Sequence, residues 1–462
     1  METNTMQAGE ELEIEVSPSA IEGVPEVTPF EGRPARKVGV EEFMELADSW
    51  GFSEETKIAI QAQIEKDEFP APLLSRYYNP RPSKVDALEK LVGQLLNVPY
   101  VLGVNSGSSA LNTAYIAAGL GPGAEVIVPA YTFFATVAEI VTARAIPVIA
   151  EINESLTIDP EDIERKITPR TKAIAPVHMI GTNCDMDAIM DIARRHNLLV
   201  IEDTAQACGG SYKGKKLGTI GDFGCFSLSS YKIVGGGEAG LVTTKDPFLY
   251  TRAQNNHDTG ACWRPDRFGP EEQEGELFCG YNFKMSELEG AVNLAQFRKM
   301  EARVSGWQRN KKRIVSQLQH FNGVTPQRVN DPDGEVGYNL VFFAPDGESA
   351  GRAAEAINAQ NIFATARGGK TSRDWHIYSY WEHIMKMKSS SPDGCPWTCE
   401  KNANTLPKYA PDMCPRTNEL MNRVVFLNLE NWWTQSDCDQ VASRINGVLR
   451  PLFGRSGDQV GW

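Results

Sequence analysis

No stretch of this chain approaches the roughly 20 consecutive apolar residues of a membrane-spanning helix, which argues against a membrane partner. The opening residues, METN, show neither a basic segment nor an apolar core, so no signal peptide is expected. Basic residues are missing from positions 1–32, where eight acids and Pro18, Pro25 and Pro29 stand. An acidic, mobile tail is expected there, extending to about residue 37. Basic charge is scarce overall, and the net charge is −14. That balance speaks against nucleic acid or an anionic membrane as the main partner, but not against a phosphorylated ligand held at a local site. Cysteine is absent before Cys184, and the nine that occur are scattered. Free thiols and a cytoplasmic location are the expectation. The six histidines lack metal-ligand spacing. Cys395, Cys399 and Cys414 form the one cluster worth weighing for zinc, but no second pair completes it, and Pro396 and Pro415 suggest a loop. No metal is expected.

What is present is ordinary globular composition, 41% hydrophobic and 23% charged over 462 residues, enough for one large and one smaller domain. Apolar spacing predicts helices over 39–67 and 83–97. From residue 101 short β-rich runs alternate with helical patterns. The runs fall at 101–104, 125–128, 146–152, 173–178 and 198–202, and the helices at 108–118, 132–144, 160–167 and 186–196. This rhythm predicts an α/β fold, a mainly parallel sheet with helices on both faces. Lys213-Gly214-Lys215 reads as a tight turn, 223–228 and 240–244 as strands, and 285–320 as a long helix. Strands at 335–343 and 424–429 and a helix at 437–449 suggest a smaller C-terminal α+β domain over 301–462, after a large domain over 38–300.

Chemistry concentrates at the ends of these strands. Residues 222–232 read DFGCFSLSSYK, and Lys232 opens the glycine-rich stretch IVGGGEAG over 233–240. Asp203 ends the apolar run LLVIED, twenty-nine residues earlier. An acid at a strand end and a lysine in a serine- and glycine-rich turn suit pyridoxal phosphate: the acid keeps the pyridine nitrogen protonated, and the lysine holds the aldehyde as a Schiff base. Alone, Asp203 reads equally well as the N-cap of a helix starting at Thr204. NSGSSA over 105–110 lies between a strand and a helix, where free N–H groups and the hydroxyls of Ser108 and Ser109 suit a phosphate or a plain serine cap. PAYTFF over 129–134 follows another strand, where an aromatic could stack on a flat ring but is by itself more often core. Gly235, Gly237 and Gly240 match the spacing of a dinucleotide fingerprint, which must open a helix; here a strand follows. His178 and His257 are weaker candidates near the substrate, and His376 and His383, among aromatics, suit packing or the substrate edge.

In order along the chain, NSGSSAL (105–111), GPGAEVIVP (121–129), TPRTKAI (168–174), IEDTAQA (201–207), FSLSSYK (226–232), GEAG (237–240) and GYNFKMSEL (280–288) resemble the DegT/DnrJ/EryC1/StrS family of sugar aminotransferases. The resemblance is strong over 80–300 and loose beyond. It implies the aspartate-aminotransferase-like type I pyridoxal-phosphate fold. By that resemblance Lys232 forms the Schiff base, Asp203 pairs with the ring nitrogen, and Gln206 bonds the ring oxygen. Ser108, Ser109 and Ser227 hold the phosphate, Phe133 covers the ring, and Asn282 reaches the phosphate of the neighbouring subunit in a homodimer with shared active sites. A branch of the family with histidine at the lysine position works as a dehydratase; Lys232 marks the aminotransferase branch. Three departures surround the substrate: Ile233 where asparagine is common, Lys284 where arginine is usual, and a longer segment over 367–415. The implied reaction is ping-pong transfer of an amino group from glutamate or glutamine to a ketone of a sugar, sugar phosphate, nucleotide sugar or cyclitol, a step of amino-sugar biosynthesis. Elimination or epimerisation on the same cofactor, and a non-catalytic pyridoxal-phosphate-binding protein, are the alternatives.

Overall fold

A computed structural model describes residues 37–67, 72, 74–78, 82–263, 267, 269–367, 373–402 and 406–462. The acidic tail lies outside these residues except for Lys37. The chain divides into two units, Met1–Leu73 and Leu74–Trp462. In the first, α1 (Val40–Ser49) and α2 (Glu54–Ile64) replace the single helix expected over 39–67. Gly51 at φ +77° turns the chain, a conformation the helix cannot accommodate. Ser53 then restarts it, its Oγ accepting the Thr56 N–H at 3.2 Å.

The second unit opens with α3 (Lys84–Leu96) and enters the expected alternation: β1 (Tyr100–Val104), α4 (Gly107–Ala117), β2 (Glu125–Pro129), α5 (Ala135–Thr142), β3 (Ile146–Ala150), α6 (Pro160–Lys166), β4 (Thr171–Ile174), α7 (Met186–His196) and β5 (Leu199–Asp203). A hairpin follows, β6 (Ser211–Tyr212) and β7 (Lys215–Lys216), turned by Lys213 and Gly214 at positive φ. Then come β8 (Phe223–Ser227), β9 (Gly240–Thr244), α8 (Pro247–His257), α9 (Glu287–Phe297) and α10 (Met300–Val315).

Seven strands make one sheet in the order β1-β9-β8-β5-β4-β2-β3. Strands β8, β5, β4, β2 and β3 are parallel, and β9 alone runs against its neighbours. Every residue of β2 and β3 is buried, as a strand covered on both faces requires. Alternate residues feed two separate cores. Ile127, Val148 and Val200 face one core with Ile189 of α7 and Phe297 of α9. Val126, Val128 and Ile201 face the other with Ala114 of α4 and Ile140 of α5. The carboxyl ends of β1, β2, β5 and β8 consequently share one edge, and the β8–β9 loop carrying Lys232 rises from it.

The C-terminal part holds β10 (Gln319–Phe321), β11 (Thr325–Pro326), β12 (Asn339–Phe343), α11 (Gly347–Asn358), β13 (Ala364–Ala366), α12 (Glu382–Met385), α13 (Pro415–Arg423), β14 (Val424–Asn428), α14 (Gln435–Phe453) and β15 (Arg455–Val460). Strands β11-β12-β14-β13 form an antiparallel sheet. Four expectations need correcting. The helix over 285–320 is α9 and α10, separated at Arg298 and Lys299 where the chain turns on buried Phe297 and Met300. The strand over 335–343 begins only at Asn339, because Gly337 sits at φ +86°. Pro415 does not extend a loop; it starts α13, where its missing N–H is harmless. Cys395 and Cys399 are not free thiols: a disulfide joins them, which removes the core of the weighed zinc cluster. Among the described residues no helix is long and apolar enough to cross a membrane.

Candidate active site

A cavity of about 450 Å³ opens at the shared sheet edge. Its lining includes Ser106, Gly107 and Ser108 from the start of α4, Phe133 after β2, Asp203 and Gln206 after β5, and Ser227 and Lys232 from β8 and its loop. Of the residues expected at the site, Ser108, Phe133, Asp203, Gln206, Ser227 and Lys232 therefore meet at one cavity, and Ser109 and Asn282 do not.

Asp203 closes β5 and is 4% exposed. Thr136 Oγ1 donates to its Oδ2 at 2.7 Å, and the Ala205 N–H donates to Oδ1 at 3.0 Å. No helix starts at Thr204, so the N-cap alternative fails. Both donors are neutral, and a buried carboxylate without a cation is costly. Lys232 is the lysine lining the same cavity. Burial holds its ammonium below the usual lysine range, while the charges of Asp203 and Glu238 pull the other way. Gln206 spends its Oε1 on the Ile180 N–H at 2.8 Å, which turns the amide donor end the other way. Phe133 is 48% exposed at the cavity, whereas Phe134 packs in the aromatic cluster of Trp375, Trp381 and His383.

The start of α4 forms a cradle. Ser106 caps the helix through the Ser109 N–H at 3.0 Å, leaving the N–H groups of Gly107 and Ser108 without an intrahelical acceptor. A Cβ on Gly107 would stand 2.7 Å from Ser227 Cβ, so the α4 backbone lies directly against β8. Ser109 stands elsewhere: its hydroxyl donates to Asn105 Oδ1 at 2.5 Å, and it does not line the cavity. Asn282 is bridged to Asp258 and is also outside the lining. His178 is wholly buried and held by Glu202 Oε2 at 3.0 Å. His257 is buried against the Tyr77 hydroxyl at 2.9 Å, and burial pushes its pKa down to about 3. Lys284 is engaged by buried Asp258. Sequence reasoning missed Thr136 and Glu238. Thr136 lies one turn past Phe133, and Glu238 inside the glycine-rich stretch; nothing in either run marks a site on its own.

The sequence profile of the DegT/DnrJ/EryC1/StrS aminotransferase family matches residues 68–366. The chain belongs to that family. It is 38% identical over 230 residues to GDP-perosamine synthase of Caulobacter vibrioides, covering 48% of this chain and 60% of that protein. It is 34% identical over 280 residues to L-glutamine:2-deoxy-scyllo-inosose aminotransferase of Streptomyces kanamyceticus, covering 58% and 65%. The chain thus spans less than two thirds of the length of these relatives. Its fold is shared with NtdA of Bacillus subtilis, solved with the cofactor PMP, at a TM-score of 0.61 and 24% identity over 80% of this chain and 78% of that one. A vitamin B6 phosphate, the cofactor that the family implies, suits the cavity. The α4 cradle offers free N–H groups and Ser108, and among the described residues Asp203 has no ion-pair partner, the place a protonated ring nitrogen would take.

Proposed function

We propose that this chain is a pyridoxal-phosphate-dependent aminotransferase. It moves the amino group of glutamate or glutamine to a ketone on a sugar, sugar phosphate, nucleotide sugar or cyclitol. The observation that carries the reading is a half-buried lysine amine and a carboxylate that, among the described residues, is bonded by two neutral donors, in one cavity beside a helix N-terminus. Ser108, Ser227 and the first N–H groups of α4 would hold the phosphate. Asp203 would hold the ring nitrogen, Gln206 the ring oxygen, Phe133 the ring face, and Lys232 the aldehyde carbon. Ser109 supports this set through Asn105 and the cap, and Asn282 serves the cavity of a second subunit in a homodimer. Residues 38–300 comprise an N-terminal segment and the large cofactor-binding domain, and 301–462 the smaller domain, in a cytoplasmic enzyme.

Bound pyridoxal phosphate supplies an electron sink for the pair left when the donor Cα–H bond breaks. The chain does the rest. The Lys232 amine, kept less basic by burial, would take the proton from the donor Cα and deliver it to the carbon that it holds at rest, the aldehyde carbon. Thr136 and the Ala205 N–H donate to Asp203 and fix its carboxyl group at the cavity. Phe133 and Leu111 supply apolar wall to the cavity.

The test is an absorbance spectrum of the purified protein before and after glutamate or glutamine. A yellow band that bleaches with release of the keto acid is the expected result. A stable yellow band with both donors would overturn transamination in favour of elimination or epimerisation. Gly107→Ala is expected to weaken pyridoxal phosphate binding at least roughly tenfold, since losing one charge-assisted hydrogen bond costs about 1.5–3 kcal/mol. A fluorescence titration with an unchanged Kd would remove the α4 cradle from the site.

A further inference from the structure

The 367–415 segment lies beyond the residues that the family profile matches, and among its described residues His376 lines the cavity. Residues 376–378 lie along the end of β2: the Thr132 N–H donates to the His376 carbonyl at 2.9 Å, and the Tyr378 N–H to the Ala130 carbonyl at 2.9 Å. Ile377 pairs with Tyr131 in an antiparallel bridge, and Ile377, Tyr378 and Trp381 are buried beneath it. The backbone of His376 is therefore pinned beside the residue preceding Phe133. Its ring lies 5.5 Å from that of Phe133 and lines the cavity.

The ring is also held from behind. His376 Nδ1 is 2.8 Å from Asp374 Oδ1. A carboxylate only accepts, so Nδ1 carries the hydrogen, and in the neutral tautomer that this selects the lone pair falls on Nε2. Asp374 Oδ2 pairs with Arg367 Nη1 at 2.7 Å. Arg367 lies over the Phe426 ring at 5.8 Å and does not itself line the cavity, so it acts through Asp374. Burial would raise the Asp374 pKa, but hydrogen bonds from the His376 side chain and backbone and the charge of Arg367 leave it below the usual range. The contrast with His383 is direct, because that ring packs between Phe134 and Trp375.

A lone pair at the cavity wall repels a carboxylate and accepts from a hydroxyl. Amino donors bring carboxylates, and sugar or cyclitol ketones bring hydroxyls. We infer that His376 is a specificity-determining residue whose Nε2 accepts a hydrogen bond from a hydroxyl of the amino acceptor, with Asp374 and Arg367 as its positioning residues. The assignment rests on the aminotransferase reading above.

The test separates the two half-reactions by absorbance. The probes are glutamate and glutamine as donors, and two polyhydroxy partners, together called the sugars: the cyclitol ketone 2-deoxy-scyllo-inosose as acceptor on the bleached protein, and the amino sugar GDP-perosamine as the amine in the reverse direction. His376→Ala is expected to leave the donor rate within twofold and to raise the half-saturating sugar concentration at least tenfold. His376→Gln, which can present an amide oxygen near the place of Nε2, recovers most of that loss. His376→Asn keeps a donor for Asp374 but no atom at Nε2, so it carries the same expectation as alanine if the alanine variant does not fold. Unchanged saturation by sugar in these variants overturns the assignment while transamination stands. An unaltered protein that a donor bleaches but neither sugar engages overturns the assignment of a polyhydroxy acceptor. An unaltered protein that no donor bleaches overturns the aminotransferase reading itself, and this assignment with it.

Discussion

Lys232→Ala is expected to give a protein that never turns yellow with pyridoxal phosphate and loses turnover by at least the roughly 10²–10⁴-fold that a positioned general acid–base contributes. The size follows from two jobs in one amine: it holds the aldehyde, and it carries the proton at the donor Cα. Among the described residues no other lysine lines the cavity. Glu238 lines it and feels the Lys232 charge, but a carboxylate cannot hold an aldehyde. Added methylamine should restore part of the rate, because it replaces the amine without its tether. Wild-type turnover by the variant in the absence of added amine would overturn the role. The unaltered protein gives a second readout. Burial lowers the Lys232 pKa, so the uncharged amine persists to lower pH than on a surface lysine. Reaction of the cofactor-free protein with an amine-specific reagent should accordingly lose Lys232 labelling on acidification only below the range where surface lysines lose theirs.

Much of this arrangement was legible because strand ends punctuate the chain. LLVIED must be a buried strand, its terminal acid must emerge at the carboxyl edge, and the β8–β9 loop must return to the same edge. The sheet thus brings Asp203 and Lys232 together whatever the details. What pattern could not resolve was helical phase. Ser108 and Ser109 are neighbours in sequence, but one helical step of about 100° separates their directions, and the Ser106 cap decides which faces the cavity. The breaks at Gly51 and between α9 and α10 were hidden because apolar spacing continues across both. His376 was the hardest to place. It comes from a segment far along the chain, and only the pairing of residues 376–378 with 130–132 puts it beside Phe133. The disulfide of Cys395 and Cys399 was equally out of reach, since a spacing of four is compatible with a loop, a metal or a bond.

Asp203→Asn is expected to keep the cofactor and lose most of the chemistry. The phosphate cradle at α4 is a separate set of donors, so affinity should fall little, while turnover drops by roughly the 10²–10³-fold seen when one preorganised electrostatic partner of a reacting group is removed. Asparagine retains an oxygen for the Thr136 hydroxyl or the Ala205 N–H, so the fold has no reason to fail. What it cannot do is hold a positive ring nitrogen. The cofactor-free protein should show the opposite sign. There the Asp203 carboxylate is 4% exposed with two neutral donors, an arrangement that costs stability until a cation arrives. The Asp203→Asn variant should therefore melt no lower than the unaltered protein without cofactor, and should gain less when pyridoxal phosphate is added. A variant that gains as much from the cofactor and turns over at a near-normal rate would mean that Asp203 supports the strand end and does not hold the ring.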